Sequence, residues 1–330
     1  GHLNLSHDYS LSPEPTLDPH VSSHFNQYTV MAYETLVAKD VNGQNIPELA
    51  ISWEPSDNFS RWVFKLREGV LFHDGTEMKA PDVVYSLLRR IDPEVNSQLI
   101  LQIIENVEVT GDFEVTVSLN PAHVELPELL TDHQAVIIRE DGGNTISEDG
   151  IGTGPFKLNT KDYAGVTEVV AHDDYWNGPP GVASASIIAI PEWEDRVQAL
   201  LSGQIDFLSY ETGNIDQFED NNEFEIQNTP SGEWAALVMR TDTSPFDDTR
   251  VRKAIRVAAD REEIIEQALD GRGVVTCDHP VWSGDKYRAD IDCPQDIELA
   301  RTLLAEAGYP DGIDIDIHTS TVDNSWSAML

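Results

Sequence analysis

Lysine is nearly missing from these 330 residues: 7 Lys and 14 Arg stand against 59 Asp and Glu, leaving a net charge of −38. Without a basic stripe to neutralise phosphates, nucleic acid is excluded as a partner. An anionic lipid surface would repel the chain as well. There is no run of roughly 20 apolar residues, so no segment reads as a membrane-spanning helix. An apolar signal-peptide core is also absent, and the opening Gly1-His2 reads as a cloning remnant. Cysteine is limited to Cys277 and Cys293, sixteen positions apart in a polar, loop-like stretch. In an oxidising compartment they are expected to pair, closing a loop worth roughly 3 kcal/mol in the chain-entropy model. The other reading is two unrelated thiols. With only His279 nearby they do not make a zinc spacing.

What is present describes a globular chain. Hydrophobic residues make up 40% and aromatics 8%, too much for a disordered tail. The length suggests about two or three domains. Carboxylates are spread along the whole chain, in short runs such as Asp247-Asp248 and Glu262-Glu263. That distribution reads as a solvated acidic surface of the kind used by halophiles.

Helix and strand patterns alternate. Residues 62–66 read as a strand, Asp74-Gly75 as a turn, and Pro81 opens a helix carrying Val83, Val84, Leu87, Leu88 and Ile91. Val115, Val117 and Leu119 alternate as one face of a strand. Residues 194–203 read as a helix ended by Gly203, and 234–239 as a buried strand. Asp248 is placed to cap one helix, and Asp260 with Glu263 to cap the next, which Gly271 stops. A further helix spans 296–307, and Ile313, Ile315 and Ile317 alternate as a strand. The chain is therefore expected to be mixed α/β.

Chemical motifs are scarce. His73-Asp74 resembles a catalytic pair, but the strand–turn–helix context makes it an architectural bend. Gly150, Gly152 and Gly154 lack dinucleotide-binding spacing, since Pro155-Phe156 follows rather than a helix. The ten histidines form no HExxH or Cys/His cluster, and His172 beside Asp173-Asp174 reads as a surface residue. No metal site and no cofactor is assigned. There is no Gly-x-Ser-x-Gly elbow, and carboxylate pairs carry no signal in a chain with 59 of them.

Several segments stand out in order along the chain: TLDP (16–19), YETL (33–36), PELAISWE (47–54), WVFKLREGV (62–70), FHDGT (72–76) and APDVV (80–84). TGPF (153–156), YWNG (175–178), LLSGQID (200–206), PFDDTRVRKA (245–254) and LLAEAGYP (303–310) follow. Together they resemble the family 5 extracellular solute-binding proteins of ABC importers, the peptide- and nickel-binding class. The resemblance implies a two-lobed clamshell of the periplasmic-binding-protein kind, type II-like, with an extra inserted subdomain. Residues 1–30 and 152–247 would form the first lobe, 31–151 the inserted subdomain, and 248–330 the start of an incomplete second lobe, with a hinge near 247–250. On this reading the chain is a fragment that binds ligand poorly.

The resemblance also implies a role: a non-enzymatic receptor outside the cell, anchored at the membrane's outer face, passing a peptide or similar small solute to a permease. Nickel chelates and oligosaccharides are alternative cargoes of the same fold, and a secreted hydrolase with a carboxylate pair is the rival class. Expected ligand contacts are His24, Phe25, Asn26 and Gln27; Asp132 and His133; Gly152, Thr153 and Gly154; and Trp234, reached through 231–233. Trp234 offers a stacking surface, though Trp234, Phe25 and Trp282 equally fit core or rim packing.

Overall fold

The computed structural model describes residues 1–7, 15–21, 26–93, 95, 101–208, 218, 221–227, 236–269, 271–281, 284–285 and 287–318. The expected contacts His24, Phe25 and Trp234, together with 231–233 and Trp282, lie outside the described residues. The chain divides into two compact units, Gly1–Leu208 and Ser209–Leu330.

Among the described residues the first unit holds ten strands: β1 (His2–His7), β2 (Val37–Lys39), β3 (Asn45–Pro47), β4 (Ala50–Pro55), β5 (Arg61–Leu66), β6 (Ile104–Gly111), β7 (Glu114–Leu119), β8 (Phe156–Thr160), β9 (Val166–Ala171) and β10 (Ser184–Ala189). Its helices are α1 (Asn26–Ala32), α2 (Ala80–Arg90), α3 (Leu126–Leu129), α4 (Ile146–Asp149) and α5 (Trp193–Leu201). One four-stranded sheet runs β1-β10-β9-β8, with β1 parallel to β10 and the other pairs antiparallel. A second runs β4-β5-β7-β6, antiparallel throughout, and β2 and β3 form a small ribbon.

The period-2 pattern of β5 and β7 explains the second sheet. Trp62, Phe64 and Leu66 alternate on one strand, and Val115, Val117 and Leu119 on the other, all buried in one cluster with Val83 and Leu87 of α2. Phe64 lies opposite both Trp53 and Val115. Pro81 fits the first turn of α2, where its missing N–H costs nothing. The Asp82 carboxylate accepts the Lys79 N–H at 2.7 Å. Asp74-Gly75 is a turn, closed by the Gly75 N–H on the Phe72 carbonyl at 2.8 Å, with Gly75 at φ 85°. A second cluster joins Leu17, Tyr28, Tyr33, Val136, Ile138, Val169 and Ile187.

In the second unit, α6 (Thr249–Ala258) packs on α8 (Ile297–Glu306), and α7 (Arg261–Leu269) lies between them in sequence. The caps at Asp248 and Asp260 are those expected, and Asp296 adds a third. Asp248 accepts the Arg250 N–H at 2.8 Å, Asp260 the Glu263 N–H at 3.0 Å, and Asp296 the Leu299 N–H at 2.8 Å. α8 ends in a Schellman arrangement: Tyr309 N–H bonds the Leu304 carbonyl at 2.8 Å and Gly308, φ 98°, bonds that of Ala305 at 3.1 Å. α5 ends the same way through Gly203 and Gln204. Cys277 and Cys293 are joined by a disulfide, with Cα atoms 5.3 Å apart. Arg261 ties that loop to the helices by pairing with Asp278 at 2.7 Å.

Three expectations fail. Residues 236–239 are irregular, with Val238 87% exposed, and so are 313–317. Alternation supplies a face, but a strand also needs a neighbour for its backbone groups, and none lies beside either segment among the described residues. His172 is buried rather than on the surface, because its ring turns inward onto the Gly154 carbonyl.

Candidate functional site

Asn26 and Gln27 start α1, a helix that buries Tyr28, Thr29 and Ala32 and turns Val30 outward. Asn26 is exposed and Gln27 half-buried, and Val30 and Met31 share their side of the helix. The far end of α1 meets the glycine run. The Gly154 N–H bonds the Ala32 carbonyl at 2.9 Å. A Cβ on Gly152 would stand 1.9 Å from that same oxygen, and one on Gly154 2.7 Å from the Met31 oxygen. The glycines are thus needed for chain-to-chain approach. All three residues of the run are buried, Thr153 completely.

Two histidines hold the run from the other side. The Gly152 N–H donates to His73 Nδ1 at 3.3 Å, so the ring proton sits on Nε2, which donates to the Gly154 carbonyl at 3.1 Å. Burial pushes His73 down to about 4, which keeps the ring neutral. His172 Nδ1 reaches the same carbonyl at 3.2 Å, and the two rings meet edge to face at 5.1 Å.

Asp132 and His133 follow α3. His133 is exposed, and Asp132 turns its carboxylate onto the Gln134 N–H at 2.8 Å. The chain beyond them is buried and lies against residues 33–36, with the Ile137 N–H on the Glu34 carbonyl at 2.9 Å.

These segments converge on Glu34, which sequence reasoning did not single out. Its side chain is 5% exposed. Oε1 accepts from Tyr175 Oη at 2.7 Å and from Trp176 Nε1 at 2.9 Å, and Oε2 lies 3.1 Å from that indole nitrogen. The Thr153 hydroxyl faces the same carboxylate from outside good hydrogen-bond geometry. Desolvation pushes Glu34 up to about 7; the hydrogen bonds from Tyr175 and Trp176 pull the other way, and the neighbouring Glu48 carboxylate adds to the rise. Glu48 is raised too, chiefly by burial, while Thr35 donates to it through N–H at 2.9 Å and Oγ1 at 2.6 Å. The nearby cation, Arg67, does not pair with either carboxylate. Its guanidinium stacks 3.9 Å above the Trp176 ring, and its Nε donates to the Glu48 carbonyl at 3.1 Å. Asn26, Gln27 and the 152–154 run therefore meet at α1, and the run and the 132–138 segment meet at Glu34. YETL and YWNG, 141 positions apart, prove to be the two halves of one hydrogen-bonded joint.

Comparison with known proteins identifies the family. Residues 44–329 match the model for bacterial extracellular solute-binding proteins, family 5. The chain belongs to that family. It is 28% identical over 327 residues to heme-binding protein A of Haemophilus influenzae, covering 88% of this chain and 59% of the relative. It is 29% identical over 299 residues to the oligopeptide-binding protein AppA of Bacillus subtilis, covering 85% and 54%. It superposes on the binding protein AgaA of A. tumefaciens R10, solved with agropinic acid, with a TM-score of 0.75 at 27% identity, covering 94% of this chain and 65% of that one. The family 5 chain thus spans less than two thirds of the length of these relatives. Its fold is the mixed α/β fold of the periplasmic binding proteins. Among the described residues no helix is long and apolar enough to cross a membrane.

Proposed function

We propose that this chain is part of the substrate-binding component of an ABC importer, capturing a small solute outside the cell and passing it to a membrane permease. The observation that carries this reading is the family match over 44–329. The relatives' names supply the range of cargo, namely heme, oligopeptide and agropinic acid. A di- or oligopeptide is the cargo proposed here, held at α1 and the segments framed by Glu34. The same proposal includes lobes built from 1–30 with 152–247 and from 248 onward, an inserted subdomain at 31–151, anchorage at the outer membrane face, and a salt-loving host.

A hydrolase reading would need an accessible carboxylate pair. In the pair formed by Glu34 and Glu48, both Glu34 oxygens and Glu48 Oε2 already accept from Tyr175, Trp176 and Thr35, which supports a binding role. Equilibrium dialysis with labelled oligopeptides, followed by product analysis, tests the proposal. Saturable retention of intact peptide is expected. Time-dependent cleavage would replace the receptor with an enzyme.

A further inference from the structure

We infer that Glu34 is a positioning residue for the proposed solute site: gain or loss of its proton resets Thr153, and with it the Gly152–Gly154 run that α1 packs against. This inference rests on the proposed function for its meaning, but not for its test.

The geometry is that of a poised group. Three donors surround a carboxylate that is 5% exposed, and no described cation pairs with it within salt-bridge distance. A carboxylate so placed is expensive to keep ionised unless its donors close on it. Tyr175 and Trp176 already do so. The Thr153 hydroxyl, a neighbour of the same carboxylate, does not: it is completely buried and has no hydrogen-bond partner. When Glu34 is protonated one of its oxygens becomes a donor, and the hydroxyl has less to gain by approaching. When Glu34 ionises, the hydroxyl is the remaining donor that can draw in. Thr153 lies between the two glycines whose backbones contact Ala32, His73 and His172 within 3.3 Å. A shift of Thr153 therefore moves the frame rather than one side chain.

The charged and titratable neighbours have distinct places. Glu48 faces Glu34 as a like charge and Tyr175 as a donor; Arg67 lies over the Trp176 ring; His73 and His172 touch the run on its far side. Burial places the Glu34 proton equilibrium at about 7, where modest changes outside a cell alter its occupancy. His73, pushed down to about 4, stays neutral across that range.

The test is a pH titration from 5 to 9 in concentrated KCl, followed by the indole N–H resonance of Trp176 and the amide of Gly154. The first is assigned with Trp176→Phe. Both resonances are expected to move with one midpoint within about one pH unit of 7. Glu34→Gln, which keeps the shape, should flatten both. Thr153→Val, which removes only the hydroxyl, should leave the Trp176 titration in place and abolish the Gly154 shift. A midpoint that survives in Glu34→Gln would assign the proton elsewhere and overturn the inference. So would a Gly154 shift that persists in Thr153→Val. No solute enters the experiment, so its failure would leave the transport reading standing.

Discussion

Replacing Gly152 by Ala puts a methyl group 1.9 Å from the Ala32 carbonyl oxygen. Real Cβ atoms essentially never come within 3.0 Å of such an atom, and the obstacle here is backbone, not a flexible side-chain tip. The glycine run and α1 must therefore part by about 1 Å. Such overpacking costs ~1–3 kcal/mol. The parting also stretches the buried bond from the Gly154 N–H to the Ala32 carbonyl, 2.9 Å long, and an unmet buried donor adds ~1–3 kcal/mol. The expected loss is about 4 kcal/mol, or a fall in melting temperature of roughly 8–16 °C for a unit of this size. Gly181→Ala is the control. A Cβ there meets nothing within 4 Å, and the change should be neutral or stabilising by less than about 1 kcal/mol. Urea unfolding in concentrated salt, with the m-value checked for constancy, measures both. Equal midpoints for the two variants would refute the claim that close packing of the run on α1 is why glycine stands at 152.

Other outcomes follow from the same structure. Arg89→Met should destabilise by ~3–5 kcal/mol, because it strands the Asp18 carboxylate, which Arg89 grips at 3.0 and 2.5 Å; a urea midpoint shift worth under about 1 kcal/mol would contradict this. Melting temperature should rise steeply with KCl, since a charge of −38 repels itself over a Debye length of about 30 Å at 0.01 M and only about 3 Å at 1 M; a flat salt series would remove the halophile reading. Reducing Cys277–Cys293, whose loop spans 16 residues, should cost the second unit roughly 3 kcal/mol. Non-reducing peptide mapping should recover the linked pair, and free thiols alkylated in the native protein would count against the bridge.

Local chemistry was legible in the sequence wherever one residue decides one feature. Asp248, Asp260 and Asp296 each cap the helix expected after them, because capping depends on a side chain and the backbone two or three positions on. The β5 and β7 alternation was readable because one face is buried. The same alternation misled at 313–317, where pattern alone cannot supply a pairing partner. His172 misled for a related reason. Two adjacent aspartates suggested solvent, while the ring's place was decided by Gly154, 18 positions away. The Glu34 joint was hidden more deeply still. Tyr175, Trp176 and Glu34 meet only through tertiary packing, and nothing in a sequence marks which of 59 carboxylates is buried. Its one visible sign was that YETL and YWNG both stand among the segments that carry the family resemblance.

Native mass spectrometry of the protein purified from its own host, under conditions that retain noncovalent ligands, tests the receptor reading most directly. The account predicts a stoichiometric adduct of peptide or similar small-solute mass that is released intact on denaturation and restored by adding the solute back. Protein that carries no adduct, takes up none of the candidate solutes and instead turns one of them over would contradict it.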